Sequence, residues 1–197
     1  MADKNYHHGG LRSALVQAAR AILERDGLTA LTLRACAREV GVSHAAPLHH
    51  FRSLAELLAA VAASGFEDFV KALDQGSQAI IDPLDRLTEM GIAYVRFASA
   101  NPALYRVMFG SETPHVASEA LSGAMRAAWE QLYSASVAAA GLQHALANAT
   151  LVWSLVHGHT MLVAAQCIPP MIDTDATLRN SLVTLANGIR AQQQGLS

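Results

Sequence analysis

Histidine is the side chain best able to do acid–base or metal chemistry near neutral pH. The 197-residue chain carries nine of them. Five cluster near the start: His7, His8, His44, His49 and His50. His44 and His49 stand five apart, whereas ligands on one helix face need a separation of three or four. No metal site is expected there. His157 and His159 are two apart and point to different faces of a helix. Each reads first as a hydrogen-bonded core histidine, and His157 has the better claim to line a pocket, one turn after Trp153. Cys36 and Cys167 lie too far apart for a disulfide framework or paired-cysteine zinc spacing, a usage that fits a reducing, cytoplasmic compartment. The chain has no Gly-x-Ser-x-Gly elbow, phosphate loop, His-Glu-x-x-His site or carboxylate pair in an apolar setting. Catalytic residues, a cofactor and a metal are therefore all expected to be absent.

The segment that speaks most clearly is Thr32 to Phe51, TLRACAREVGVSHAAPLHHF. It reads as two short helices joined by Gly41-Val42-Ser43. Thr32 can cap the first, and small Ala37 lets the helices cross closely. Gly41 supplies the positive backbone angle of the turn, and Val42 plugs the corner. Ser43 is expected to cap a second helix reaching about His50, with its first amides turned outward. This is the pattern of a helix-turn-helix, although any helical hairpin with a glycine turn shares it. Charge points the same way. Residues 1–56 carry seven basic groups against five acidic ones, while the other 141 carry seven against eleven. A basic head on an acidic body suits a polyanionic partner for the head.

The elements around that segment are helical nearly throughout. Leu11, Leu15, Ala18 and Ile22 recur at helical spacing before Gly27. Ser53 can cap a long helix through Leu57, Val61, Phe66, Phe69 and Leu73. Asp82-Pro83 and Asn101-Pro102 each read as a cap followed by proline at the first helical position. Further helices are expected from near Val116 to Gly141, over about Gln143–Gln166, and over Asp175–Gln192. The fold class is all-α with about nine helices and no repeat. With 52% hydrophobic and 15% charged residues, extensive disorder is excluded, and 13 Gly with 6 Pro exclude a fibrous chain. The polar start reads as neither a secretory signal nor a transit peptide. Gln131–Ile172 contains no Asp, Glu, Lys or Arg, but Gln, His and Asn interrupt it too often for a membrane hairpin. A helix pair buried in protein, across a subunit interface, fits better.

Three stretches, HHGGLRSALVQAARAILERDG, LTLRACAREVGVSHAAPLHHF and RSLAELLAAVAASGF, together resemble the DNA-binding domain of TetR-type transcriptional regulators over about residues 6–66. Trp153–Gly158, WSLVHG, resembles the regulatory-domain signature of a subgroup named for its Trp-His-Gly residues. The resemblance implies a DNA-binding domain over 1–54 and an effector-binding and dimerisation domain over 55–197. It also implies a homodimer on a palindromic double-stranded operator, released by a small effector. Three positions depart from the family pattern: Leu48 replaces a common tyrosine, Leu54 a common lysine, and Ala45 a common glycine. Weaker phosphate anchoring or an unusual operator follows. A family member whose head has become a protein-interaction module is the competing reading.

On this reading Ser43, His44, Ala45, Ala46 and His49 face the major groove, with Lys4, Arg34 and Arg52 near phosphates. Pocket candidates are Phe66, Phe69, Tyr94, Phe97, Tyr105, Met108, Phe109, Trp129, Trp153 and His157, mostly core residues with a few to spare for a ligand. Few charges lie among them, which favours an apolar or neutral aromatic effector. The dimer interface is expected at Leu146, Val152, Val156, Val163, Leu178, Leu182, Leu185 and Ile189, pairing two helices with their symmetry mates.

Overall fold

Helix starts in this chain are written in side-chain caps. Asp82 Oδ1 accepts from the amides of Leu84 and Asp85 at 2.9 and 3.0 Å, and the following helix begins at Pro83. Thr32 Oγ1 accepts from the Ala35 amide at 3.0 Å. Ser53 Oγ accepts from the Glu56 amide at 3.2 Å, while the Glu56 carboxylate takes the Arg52 amide at 2.8 Å. Each bond satisfies an amide that the first turn leaves without an intrahelical partner.

The computed structural model describes residues 8–110 and 118–193. Its α-helices are α1 (His8–Asp26), α2 (Leu33–Val40), α3 (Leu54–Ser77), α4 (Pro83–Ala100), α5 (Pro102–Phe109), α6 (Glu119–Ala140), α7 (Leu142–Ala164) and α8 (Thr174–Gln193). Two 3₁₀ turns, Leu28–Ala30 and Ala46–His49, complete the secondary structure, and no strand occurs among the described residues. The all-α expectation holds, with eight α-helices among the described residues where about nine were expected.

The difference lies in the third element. Ser43 does not cap a helix; the 3₁₀ turn Ala46–His49 starts after Ala45 with no side-chain cap. Pro47 explains the change, because it has no amide hydrogen to give to the Ser43 carbonyl, which an α-helix would require. The chain closes the turn through shorter bonds, Ala46 N–H to Ser43 O at 3.0 Å and Leu48 N–H to Ala45 O at 3.1 Å.

The chain forms two compact units. The first comprises residues 1–66 and 101–124, the second 67–100 and 125–197. In the first, Leu15, Ala19, Ile22 and Leu23 of α1 are buried with Cys36 and Ala37 of α2, Phe51, and Leu57 and Val61 of α3. Burial pushes the Cys36 thiol up to about 11, so it is an inert core group. Arg20 of α1 donates to Ser64 Oγ at 2.8 Å, and Glu24 accepts the Leu104 amide of α5 at 3.1 Å. In the second unit, α4 packs on α7 and α8. Leu84, Leu87, Ala139, Ala140, Val152 and Ile189 form its core, flanked by Leu132, Ala135, Leu185 and Ala186. Among the described residues no helix is long and apolar enough to cross a membrane.

Candidate nucleic-acid interface and regulatory residues

The turn between α2 and the 3₁₀ element is a tight corner. Gly41 has φ 75° and ψ 33°, the left-handed region that glycine enters at no steric cost. Its amide reaches Arg38 O at 3.2 Å, and the Val42 amide reaches Ala37 O at 2.9 Å. Both bonds satisfy carbonyls left open at the end of α2. The corner then carries a short loop outward. Ser43, His44, Ala45, Leu48 and His49 are exposed, Ala46 and His50 are half-buried, and Pro47 is fully buried.

Pro47 and Phe51 form the floor of that loop. Phe51 is 1% exposed, its amide bonds to Pro47 O at 2.8 Å, and the Arg12 guanidinium of α1 sits 5.1 Å from its ring centroid. A guanidinium over an aromatic face at this distance is attracted by the ring quadrupole. The exposed loop is thus pinned from beneath, with polar tips at Ser43, His44 and His49.

Arg34 in the first turn of α2 and Arg52 just after Phe51 are exposed; among the described residues neither is held in an ion pair. Arg25 differs, because hydrogen bonds and charge from Asp26 and Glu39 engage its guanidinium. Exposed cations are what a phosphate backbone requires. Of the eight expected DNA-facing residues, five lie on this loop, Arg52 follows it in sequence and Arg34 lies on α2. Lys4 lies outside the described residues.

The ten pocket candidates divide between the units. Phe66, Tyr105, Met108 and Phe109 lie in the first, where Phe109 packs on Phe66 and Tyr105 at 4.9 Å between ring centroids. A Cβ added to Gly65 would stand 2.7 Å from Met108 Sδ, so α5 and α3 are already in closest contact there. Phe69, Tyr94, Phe97, Trp129, Trp153 and His157 lie in the second. They form one chain of rings, together with Tyr133: Phe97–Phe69 (5.2 Å), Phe69–Tyr94 (5.1 Å), Tyr94–His157 (6.5 Å), His157–Trp153 (6.3 Å), Trp153–Trp129 (6.1 Å) and Trp129–Tyr133 (6.4 Å).

Tyr94 Oη and His157 Nδ1 are 2.9 Å apart. Burial pushes the His157 imidazole below its ordinary range, which favours the neutral ring. A neutral His157 whose Nδ1 accepts the Tyr94 hydroxyl carries its proton on Nε2. Sequence reasoning did not foresee this pair. The partners are 63 residues apart on different helices, and no local pattern signals such a contact.

Five of the eight expected dimer-interface residues are buried within the single chain. Val152, Val156, Leu178, Leu182 and Ile189 are each 2–3% exposed within a single chain. Val152 and Ile189 share a core cluster with Leu84 and Leu87 of α4, and Leu182 and Val156 close on Gly91. Val163 and Leu185 are half-buried; of the eight expected residues Leu146, at 62%, is the one exposed. The exposed large apolar residues of α7 and α8 are Leu142, Leu146, Leu151, Trp153, Met161, Leu162 and Val183.

Residues 15–61 match the bacterial regulatory proteins of the tetR family, and residues 87–185 match the tetracyclin repressor-like C-terminal domain. A protein of unknown function from Rhodococcus sp. RHA1 is 32% identical and superposes with a TM-score of 0.80, covering 94% of this chain and 98% of that one. BioQ of Mycobacterium smegmatis is 25% identical, with a TM-score of 0.63 over 91% of this chain and 98% of its own. An HTH-type transcriptional regulator of Mycobacterium tuberculosis is 28% identical over 185 residues, 90% of this chain and 81% of that protein. With the capped α2, the left-handed glycine corner and the exposed loop in the first match, and an all-helical unit in the second, the chain belongs to the TetR family of bacterial transcriptional regulators.

Proposed function

We propose that the chain acts in the cytoplasm as a homodimeric repressor on a palindromic operator and is released by a small, mostly apolar effector. The observation that carries the reading is the loop Ser43–His49, exposed above buried Pro47 and Phe51, in a unit where Arg34 and Arg52 are exposed with no ion pair among the described residues. Base edges would meet Ser43, His44, Ala45, Ala46 and His49, and phosphates Arg34, Arg52 and Lys4.

Dimerisation would use the outward face of α7, where Leu151, Ser154, Gly158 and Leu162 recur at helical spacing, joined by Val183 of α8. A Cβ on Gly158 would meet nothing within 4 Å in the chain, which leaves room for close approach of a second helix. The effector would stack on the rings between Phe69 and Trp153 and exchange a hydrogen bond with the Tyr94–His157 pair. Helix α3 is continuous from Leu54 to Ser77 and contributes to both units, so movement at Phe69 would be transmitted along it toward the operator-binding half. An effector releases DNA only through different affinities for the bound and free states.

The test is a mobility shift of the DNA upstream of its own gene at increasing salt. Binding that weakens steeply with salt supports the reading. A protein that shifts no DNA in low salt refutes it in favour of a protein-interaction module.

A further inference from the structure

The recognition loop is unusual in what it lacks. From Gly41 to Phe51 there is no Arg, Lys, Asn, Gln, Asp or Glu. Arg or Lys on guanine and Asn or Gln on adenine are the bidentate readers of the major groove, and both kinds are missing. What the loop exposes instead is a methyl group at Ala45 and an isobutyl group at Leu48. Leu48 is 55% exposed, and among the described residues of the first unit no large apolar side chain is more so. An apolar side chain left in water at the tip of a pinned loop makes sense when its partner is apolar too.

The backbone sets these two groups side by side. The Leu48 amide bonds to Ala45 O at 3.1 Å, the three-residue repeat of a 3₁₀ turn, in which residues three apart eclipse. At about 2 Å of rise per residue they stand roughly 6 Å apart along the turn. That is close to two base-pair steps of about 3.4 Å each. The one apolar feature of the major-groove edge is the C5 methyl of thymine. We propose that Ala45 and Leu48 read thymine methyl groups, so that operator half-sites place A·T pairs opposite the loop. His44, His49 and Ser43 add single hydrogen bonds that discriminate less. The inference rests on the DNA-binding reading above and extends it to the base class recognised.

The test uses the full-length protein and duplexes enriched from a random pool. In the enriched duplex each thymine is replaced in turn by deoxyuridine, which keeps pairing and removes only the methyl. Loss of one methyl in a contacted half-site should weaken binding about fourfold, the factor for exposing one CH₂-sized group, and about fifteenfold when both half-sites are altered. Leu48→Ala should melt like the wild type, bind the thymine duplex several-fold more weakly, and show no further loss with deoxyuridine at the matching position. Ala45→Gly gives the same readout for the second methyl. An enriched duplex indifferent to every deoxyuridine overturns this inference and leaves DNA binding intact. A pool in which nothing is enriched overturns both.

Discussion

Leu182 and Gly91 allow the packing of the second unit to be tested quantitatively. Leu182 of α8 is 2% exposed, and its methyls lie 3.0 Å from where a Cβ on Gly91 of α4 would stand, with Val156 Cγ1 at 3.2 Å. Ordinary carbon contacts are about 3.5–4.0 Å, so an added methyl is about half an ångström too close. Both Leu182 methyls lie at that distance, so Leu182 must shift to make room. Overpacking of this kind costs about 1–3 kcal/mol. Alanine in a helix interior returns about 1 kcal/mol over glycine. Gly91→Ala alone should therefore destabilise by about 0–2 kcal/mol. Leu182→Ala alone should cost about 2–5 kcal/mol, the range for emptying a buried leucine site. For a chain of this size that lowers the melting temperature by about 5–15 °C.

The double variant decides the matter. With Leu182 shortened, the methyl on Gly91 enters vacated space, keeps its helix-propensity gain and adds about 0.8 kcal/mol of burial. Gly91→Ala should thus stabilise Leu182→Ala by about 1–2 kcal/mol while being neutral or harmful in the wild type, a coupling of about 1–4 kcal/mol. Urea denaturation followed by tryptophan fluorescence is the assay, because both tryptophans, Trp129 and Trp153, lie in the second unit and report its unfolding. Additivity of the two substitutions would refute the close approach of α4 and α8. A Leu182→Ala penalty that grew on dilution would instead return Leu182 to a subunit interface.

Three further outcomes are expected. Leu162→Glu, on the outward face of α7, should give a monomer by light scattering with little loss of helicity, whereas Leu182→Glu buries a charge inside the chain and should unfold it. Arg34→Ala should weaken all duplexes alike and reduce the salt slope by about one, while His44→Ala should change preference among bases, as seen by fluorescence anisotropy on a duplex panel. Because burial lowers the His157 pKa, the unfolded chain takes up that proton first. Stability from this group is present above about pH 6.5 and is lost as pH falls toward the depressed folded value. Urea midpoints should drop between about pH 7.5 and about pH 5, and His157→Gln should flatten the drop. The slope that remains belongs to His159, which burial shifts the same way against the opposing charge of Asp175. A wild-type midpoint that does not change over this range refutes the buried neutral histidine.

Helix starts were legible because their signals are local. Thr32, Ser53 and Asp82 each bond to amides two or three residues ahead, and the prolines at 83 and 102 fill first-turn positions. The partner of each helix face is not local. Helix α7 is apolar nearly all round, so its periodicity could not separate Val152 and Val156, which meet α4, from Leu151 and Leu162, which face outward. That symmetry of composition is why residues packed inside the chain were expected at the interface. The Tyr94–His157 bond was hidden for the same reason: each residue fits the core pattern of its own helix, and only tertiary packing brings them together.

The recognition loop is the one place where two local signals conflicted. Ser43 invites a helix, while Pro47 four residues later withholds the amide that the Ser43 carbonyl would accept in an α-helix. The structure resolves the conflict by burying Pro47 and shortening the element to Ala46–His49. A 3₁₀ turn packs its side chains three to a turn instead of 3.6, so Ala45 and Leu48 align where an α-helix would splay them by about 60°. The same proline that removes helix also seats the turn against Phe51, which keeps a short element from fraying. Replacing Pro47 with alanine restores the amide and permits the helix that Ser43 would cap, but it also empties part of the floor beneath Leu48. Operator affinity should therefore fall even as local helix propensity rises, because base readout at Ala45 and Leu48 depends on where the turn is held and not on how helical it is.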